Sequence, residues 1–298
     1  MLYDLRLKIA YIYAAAAGSS RHVLRVTPRD IPGRQKTIAS TLLIAPDPAE
    51  RSVFVDSFGN QARDVLLRGE HRRFEISVRA RIKRTSADVS PAPGPQIEDL
   101  QEALRRYRGL GPDSPHHFTA RSRLVRPGRD TTEFALRILP DGIGVAEAVR
   151  RIGEALHAEM IYDPAATEVD TPHETAFAAR RGVCQDFSHI MIACLRGVGI
   201  PASYVSGLLR TLPPPGAERL AGADAMHAWV RAWCGPGIGW IEYDPTNATD
   251  VGDQHIVVAY GRDYCDVSPA KGVLRTAGGQ RSSQSVDLVE ADPARPPL

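Results

Sequence analysis

Cysteine is scarce in this chain: four residues in 298, at positions 184, 194, 234 and 265, with no Cys-x-x-Cys pair among them. That spacing excludes the common structural zinc sites, and no disulfide framework can be read from it. Cys184 and Cys194 lie ten apart on one expected helix and cannot bridge without breaking it. A reducing, cytoplasmic location is therefore expected. Lysine is scarce too. It supplies four of 37 basic residues, leaving 33 arginines, and the net charge is only +2. Totals of this kind, without clusters, give no case for a nucleic-acid partner. No apolar run approaches the roughly 20 residues that span a bilayer, so no membrane partner is expected. No EF-hand-like spacing and no internal repeat is present; neither a metal nor a cofactor is expected.

What remains is an ordinary globular composition, 43% hydrophobic and 24% charged, in a chain long enough for one large or two ordinary domains. The stretch Ile9–Gly18 has the apolar, small-residue character of a short leader. Against that reading, Tyr3, Leu5, Leu7, Ile9 and Tyr11 alternate with Asp4, Arg6 and Lys8, the period of a strand. The strand is preferred. Further strands are expected over 22–27, 37–45, 52–56, 62–68 and 72–83, separated by Pro-, Asp- and Gly-containing turns. Residues 1–90 then form an N-terminal β-rich domain of sandwich type. Ser90–Pro95 marks a stiff boundary, and residues 91–114 a linker whose helical pattern over 97–109 packs between domains. A core follows over 115–275. Residues 276–298 are an edge strand around 285–289 or a disordered tail.

Within the core, Cys184 stands where a glycine turn gives way to a helix, in Arg181-Gly182-Val183-Cys184-Gln185-Asp186-Phe187. Behind it Phe187, Ile190, Met191, Leu195 and Val198 form the apolar stripe of a helix over 184–198, which Gly199 and Pro201 terminate. A thiol at a helix N-terminus meets unsatisfied N–H groups and the positive end of the dipole, and both favour thiolate. A hairpin follows. Met226–Trp233 alternates, and Ile238–Asp244 returns after Cys234-Gly235-Pro236-Gly237. A turn centred between Gly235 and Pro236 puts His227 directly opposite Asp244, where a carboxylate can orient an imidazole. A one-residue bulge in the turn would swap the faces and undo this.

The strings GVCQDFSHIMIACLRGVGIPASYVSG, MHAWVRAW and GWIEYDPTN, in that order, resemble the core of the transglutaminase-like superfamily. More closely, they resemble its bacterial branch of cysteine-protease-type members with an N-terminal β domain. The resemblance covers about 140–265 and, more weakly, the N-terminal strands. It implies an α+β, papain-like core with a Cys-His-Asp triad at Cys184, His227 and Asp244. The chemistry it implies is attack on an amide of a protein or peptide substrate, through a thioester resolved by water or by an amine. The better-studied transglutaminases place a tryptophan upstream of the cysteine to help hold the oxyanion. Here Trp229, Trp233 and Trp240 all lie downstream, which favours hydrolysis over amine transfer. A catalytically idle binding module would be marked by a lost triad member, and none is lost.

Neighbouring residues receive smaller roles. Asp186, on the first helical turn, complements the dipole and serves structure. The oxyanion donor is the backbone N–H of Cys184 or the Gln185 side chain. His189 is a packed bystander. Trp229 and Trp240 share the His227 face and either wall a cleft or line a core. Loops 159–173 and 210–224 are candidate cleft walls. The segment 261–266 is typical of the family near the cleft and has no physical account at this stage.

Overall fold

The alternation at the N-terminus does produce a strand. In the computed structural model, which describes residues 1–85, 94–211, 224–292 and 294, β1 spans Leu2–Ala17 and buries Tyr3, Leu5, Leu7 and Ile9. It is followed by β2 (Ser20–Leu24), β3 (Gln35–Ala45), β4 (Glu50–Val55), β5 (Gln61–Leu67) and β6 (His71–Arg84), at the positions the turn residues mark. Most of the proline-containing boundary at 90–95, and of the 210–224 loop, lies outside the described residues.

The core begins with α1 (Ile97–Arg106), a single 3-10 turn at Pro115–Phe118, α2 (Arg129–Ile138) and α3 (Val145–Glu159). Next come β7 (Ile161–Tyr162), α4 (His173–Ala179), β8 (Arg181–Gly182), α5 (Cys184–Gly197), β9 (Ala202–Leu209), β10 (Ala225–Trp233) and β11 (Trp240–Asp244). It ends with β12 (Thr249–Asp250), β13 (His255–Gly261) and α6 (Tyr264–Val267). The chain then returns to the N-terminal unit as β14 (Ala270–Leu274) and β15 (Gln280–Glu290).

Three larger sheets result. Their orders are β15-β1-β6-β3, β14-β2-β5-β4 and β12-β11-β10-β9-β13. The first two share one buried cluster, in which the His22 ring stacks on Phe74 at 4.5 Å between centroids. The C-terminal stretch is thus more than a short edge strand at 285–289. β15 runs for 11 residues along β1, because Val286 and Leu288 find buried places opposite Leu7 and Leu5.

α5 is central. Its apolar stripe predicts one buried face, yet Phe187 through Leu195 are all essentially inaccessible, because α2, α3 and α4 cover the sides that β9 and β10 leave. Its buried Arg196 is partnered: the guanidinium donates to the carbonyls of Ala120, Ala202 and Arg262. Three helices were not legible in the chain. α2 opens on Arg-Asp-Thr-Thr-Glu, in which aspartate and the two threonines are weak helix formers, and α4 and α6 are only seven and four residues long. α1 packs on the core rather than between domains. The Gln101 amide donates to the Gly199 carbonyl, and Tyr107 meets Trp233 edge-on at 5.7 Å.

The hairpin register differs from expectation in an instructive way. Val230 pairs with Tyr243 and Trp233 with Trp240, so the turn is two residues longer than a tight Gly-Pro turn. The Cys234 N–H reaches the Gly239 carbonyl at 2.8 Å, and the Gly239 N–H reaches Gly235 at 2.7 Å. Asp244 therefore stands one step past the ladder, opposite Trp229 and diagonal to His227. A shift of two preserves which face each side chain occupies, so the pair still meets.

Candidate active site

Cys184 is placed by the two residues before it. β8 pairs with β7 in a short parallel ladder, Val183 is extended, and Cys184 opens α5. The Asp186 carboxylate closes this turn: its Oδ2 accepts the Val183 N–H at 2.8 Å and the Thr167 hydroxyl at 2.6 Å. A Cβ on residue 182 would lie 2.6–2.9 Å from that carboxylate, so only glycine fits there. Burial pushes the Asp186 carboxyl up in spite of these bonds. Its structural reading holds. Gln185 is occupied as well, its amide donating to the Val169 carbonyl at 2.8 Å. That leaves the backbone N–H groups of Cys184 and Gln185, which no acceptor among the described residues takes, as free donors at the helix start.

His227 lies on β10 opposite Gly207 of β9. Its Nε2 is 2.7 Å from Asp244 Oδ2, and it lines the same cleft as the Cys184 side chain. With Nε2 taken by the carboxylate, Nδ1 remains for the sulfur. Burial opposes a charge on this ring, but the Asp244 carboxylate bonded to it and the nearby Cys184 outweigh that and raise His227 to about 10. The imidazolium form is favoured at neutral pH.

Asp244 holds more than one histidine. Its Oδ2 also accepts from Asn247 Nδ2 at 2.7 Å and from His255 Nε2 at 3.2 Å, while Oδ1 accepts the backbone N–H of Thr246 at 2.9 Å and of Asn247 at 3.2 Å. Burial works against its ionisation, yet the bonds from His227, His255 and Asn247 prevail and hold the carboxyl well below the usual range. His255 and Asn247 are additions that sequence reasoning missed. No linear spacing marks His255. It arrives because β13 pairs with β9 on the side away from β10, with His255 opposite Leu209. The Asp-Pro-Thr-Asn string was the available signal for Asn247.

Beneath the two imidazoles lies Trp229. It is fully buried, and its ring crosses Gly207, where a Cβ would fall 2.1–2.5 Å from indole carbons and the Ile256 carbonyl. The indole meets His255 edge-on at 5.1 Å and donates its N–H to Glu242 Oε2 at 2.8 Å. Glu242 Oε1 in turn accepts the Tyr260 hydroxyl at 2.9 Å and an Arg34 N–H at 3.2 Å. Trp229 is therefore core, and Trp240 packs on Phe118 and the Arg231 guanidinium; neither walls the cleft.

The cleft that holds Cys184 and His227 has a volume of about 390 Å³. Its core side is lined by Val169, Tyr204, Met226 and Tyr264; across from them stand Ile9 and Tyr11 of β1 and Ser282–Gln284 of β15. No Asp, Glu, Lys or Arg lines it among the described residues. His189, buried and pushed down to about 3 by desolvation, accepts the Tyr264 N–H at 3.2 Å. Asp263 caps α6 through the Cys265 N–H at 2.8 Å and accepts the Leu124 N–H at 2.7 Å. Together these bonds give the 261–266 segment a role: they fix Tyr264 on the cleft wall.

His227, Asp244 and His255 also offer ligand atoms within 4.8 Å of one another, a set that could hold a metal ion. In this structure Asp244 Oδ2 accepts from both imidazoles.

Residues 133–245 match the model of the transglutaminase-like superfamily, and residues 3–83 match that of the bacterial transglutaminase-like N-terminal region. A protein of Mycobacterium tuberculosis (strain H37Rv), itself uncharacterised, is 34% identical over 309 residues, covering 97% of this chain and 91% of the relative. The chain belongs to the transglutaminase-like superfamily. An uncharacterised Mycobacterium leprae relative is 31% identical over 274 residues, covering 90% of this chain and 91% of its own. Among solved structures, a candidate cysteine protease from Cytophaga hutchinsonii superposes with a TM-score of 0.77 at 20% identity, covering 100% of this chain and 93% of that one. This transglutaminase-like member thus shares with it an α+β core and an N-terminal β-rich region over essentially the whole length. No helix among the described residues is long and apolar enough to cross a membrane.

Proposed function

We propose that this transglutaminase-like protein is a cysteine peptidase or amidase. The observation that carries the reading is His227, bonded to Asp244 and sharing with Cys184 a cleft that no Asp, Glu, Lys or Arg lines among the described residues. The Cys184 thiolate attacks an amide carbonyl, forming the C–S bond, and the carbonyl oxygen becomes an oxyanion beside the Cys184 N–H. Collapse breaks the C–N bond, and the amine leaves with the proton from His227. Water then adds to the thioester, giving its proton to His227; the acid departs and the thiolate is restored. Asp244 stays ionised throughout and keeps the ring oriented. All four cysteines are free thiols, in keeping with a cytoplasmic location.

Iodoacetamide labelling tests the nucleophile. Cys194 and Cys234 are buried, and burial pushes the Cys265 thiol up. Cys184 is expected to label first near neutral pH, and a His227→Ala variant to lose that preference. Equal labelling of the four thiols, or unchanged labelling in the variant, refutes the reading. Incubation with a glutamine peptide and a fluorescent amine separates hydrolysis from amine transfer, incorporation of the amine counting for transfer.

A further inference from the structure

One wall of the Cys184 cleft is a strand edge. β15 pairs with β1 in an unbroken register, from Tyr3 opposite Glu290 to Tyr13 opposite Gln280. It is the outermost strand of its sheet. Near its C-terminal end the outer side meets β10's approach, in a single bridge between Asp224 and Val286, and the Leu288 N–H donates to the Asp224 carboxylate at 2.6 Å. In an antiparallel strand the N–H and C=O of one residue point to the same side, and the side alternates along the chain. Leu288 therefore sets the phase: even-numbered residues of β15 turn their backbone groups away from β1. With no bulge in the register, the phase carries to Gln284 and Ser282. Both line the cleft with Cys184 and His227, and no group of the described residues takes their outward N–H or C=O.

We propose that the substrate is an extended polypeptide segment, held as an added strand on the β15 edge. Its backbone bonds Ser282 and Gln284, and this lays one of its amide carbonyls against Cys184. The proposal rests on the thiol chemistry above. A row of free backbone donors and acceptors recognises another main chain, which a free amino acid or a small amide lacks. With no charged side chain along the described cleft wall, the residues flanking the scissile bond are uncharged. Ile9, Tyr11 and Met226 supply the apolar contacts.

The test compares the inactivation of Cys184 by acetyl-Ala-Ala-Ala chloromethyl ketone with its labelling by iodoacetamide, which carries no chain to pair. N-methylation of each amide of the tripeptide reagent in turn removes one backbone donor. At least one methylated reagent is expected to react about three- to tenfold more slowly, the worth of one hydrogen bond. Gln284→Pro removes an outward N–H and spares the β1 ladder, as an edge strand tolerates. It is expected to lower the ratio of the tripeptide rate to the iodoacetamide rate by a similar factor. Should that variant fail to fold, the methylated series on the unaltered protein decides. A tripeptide rate indifferent to every methyl group and to Gln284→Pro overturns the edge proposal. Failure of iodoacetamide to select Cys184 overturns instead the thiol reading on which it rests.

Discussion

Glu242 is the residue whose loss is expected to be felt most widely outside the proposed triad. Its side chain is 1% exposed, and both cations that stabilise it come from the N-terminal unit: Arg34, at 3.2 Å, and Arg84, itself buried. Burial opposes its charge; Arg34, Arg84 and the bonds from Trp229 and Tyr260 overcome it and hold the carboxyl below the usual range. Glu242→Gln keeps the shape and one acceptor but turns three charge-assisted bonds into neutral or broken ones. At about 1 kcal/mol each, that is about 3 kcal/mol. Glu242→Leu also strands two guanidinium groups, and the breaking of a buried pair costs about 3–5 kcal/mol. Against a total stability of about 5–15 kcal/mol, either loss is large. Urea unfolding is the assay: the midpoint should fall at an unchanged m-value, more for Leu than for Gln. The sign with pH follows from the lowered folded pKa. Glu242's contribution is full above its unfolded value and is lost as pH falls through the folded one, so the variants and the parent should converge in acid. A loss under about 1 kcal/mol for Glu242→Leu would refute the claim that this carboxylate ties the β-rich unit to the sheet bearing the histidines.

The charged His227 should show itself in stability against pH. Its folded pKa, raised to about 10, lies above the ordinary 6.5, so its contribution is full below 6.5 and fades as pH rises towards 10. The stability difference between the parent and His227→Gln should shrink over that window, and a difference constant from pH 6 to 10 would contradict the assignment. Asp244→Asn should slow iodoacetamide labelling of Cys184 roughly tenfold or more, because an amide facing His227 cannot hold it as imidazolium. An unchanged labelling rate in a folded variant would remove Asp244 from the triad.

Much of the fold was legible because its strands obey a simple period. Tyr3 to Tyr11 alternate on a sheet with one buried face, and the turn residues at 28–30, 46–48 and 58–60 punctuate the strands that follow. Cys184 was legible because Gly182 and the apolar run from Phe187 mark a helix start. The His227–Asp244 pair was found through an incorrect register, and it survived because the true turn is longer by two residues rather than one. Longer-range pairing was not legible. Nothing local announces that β15 will lie along β1 more than 260 residues earlier, or that β13 will join β9 and bring His255 to Asp244. Such contacts are chosen by burial across the assembled sheet, as Leu288 opposite Leu5 illustrates, and a linear pattern holds no record of them.

Asp244 shows why a structural and a catalytic reading of one residue need not compete. A carboxylate before Pro-Thr-Asn is a natural turn former, since proline has no N–H and the next two residues offer theirs. Oδ1 does this work, accepting the N–H groups of Thr246 and Asn247. Because that oxygen is tied to the turn, the carboxylate cannot rotate, and Oδ2 is left facing His227, His255 and the Asn247 amide. Five donors converge on a group with about four lone-pair sites, so ionisation is enforced and no bond remains for water. Rotational freedom is what would blunt an orienting carboxylate, and the turn removes it. The turn is thus the device that aims the acid, and the aimed acid fixes which nitrogen of His227 is held and which is left free.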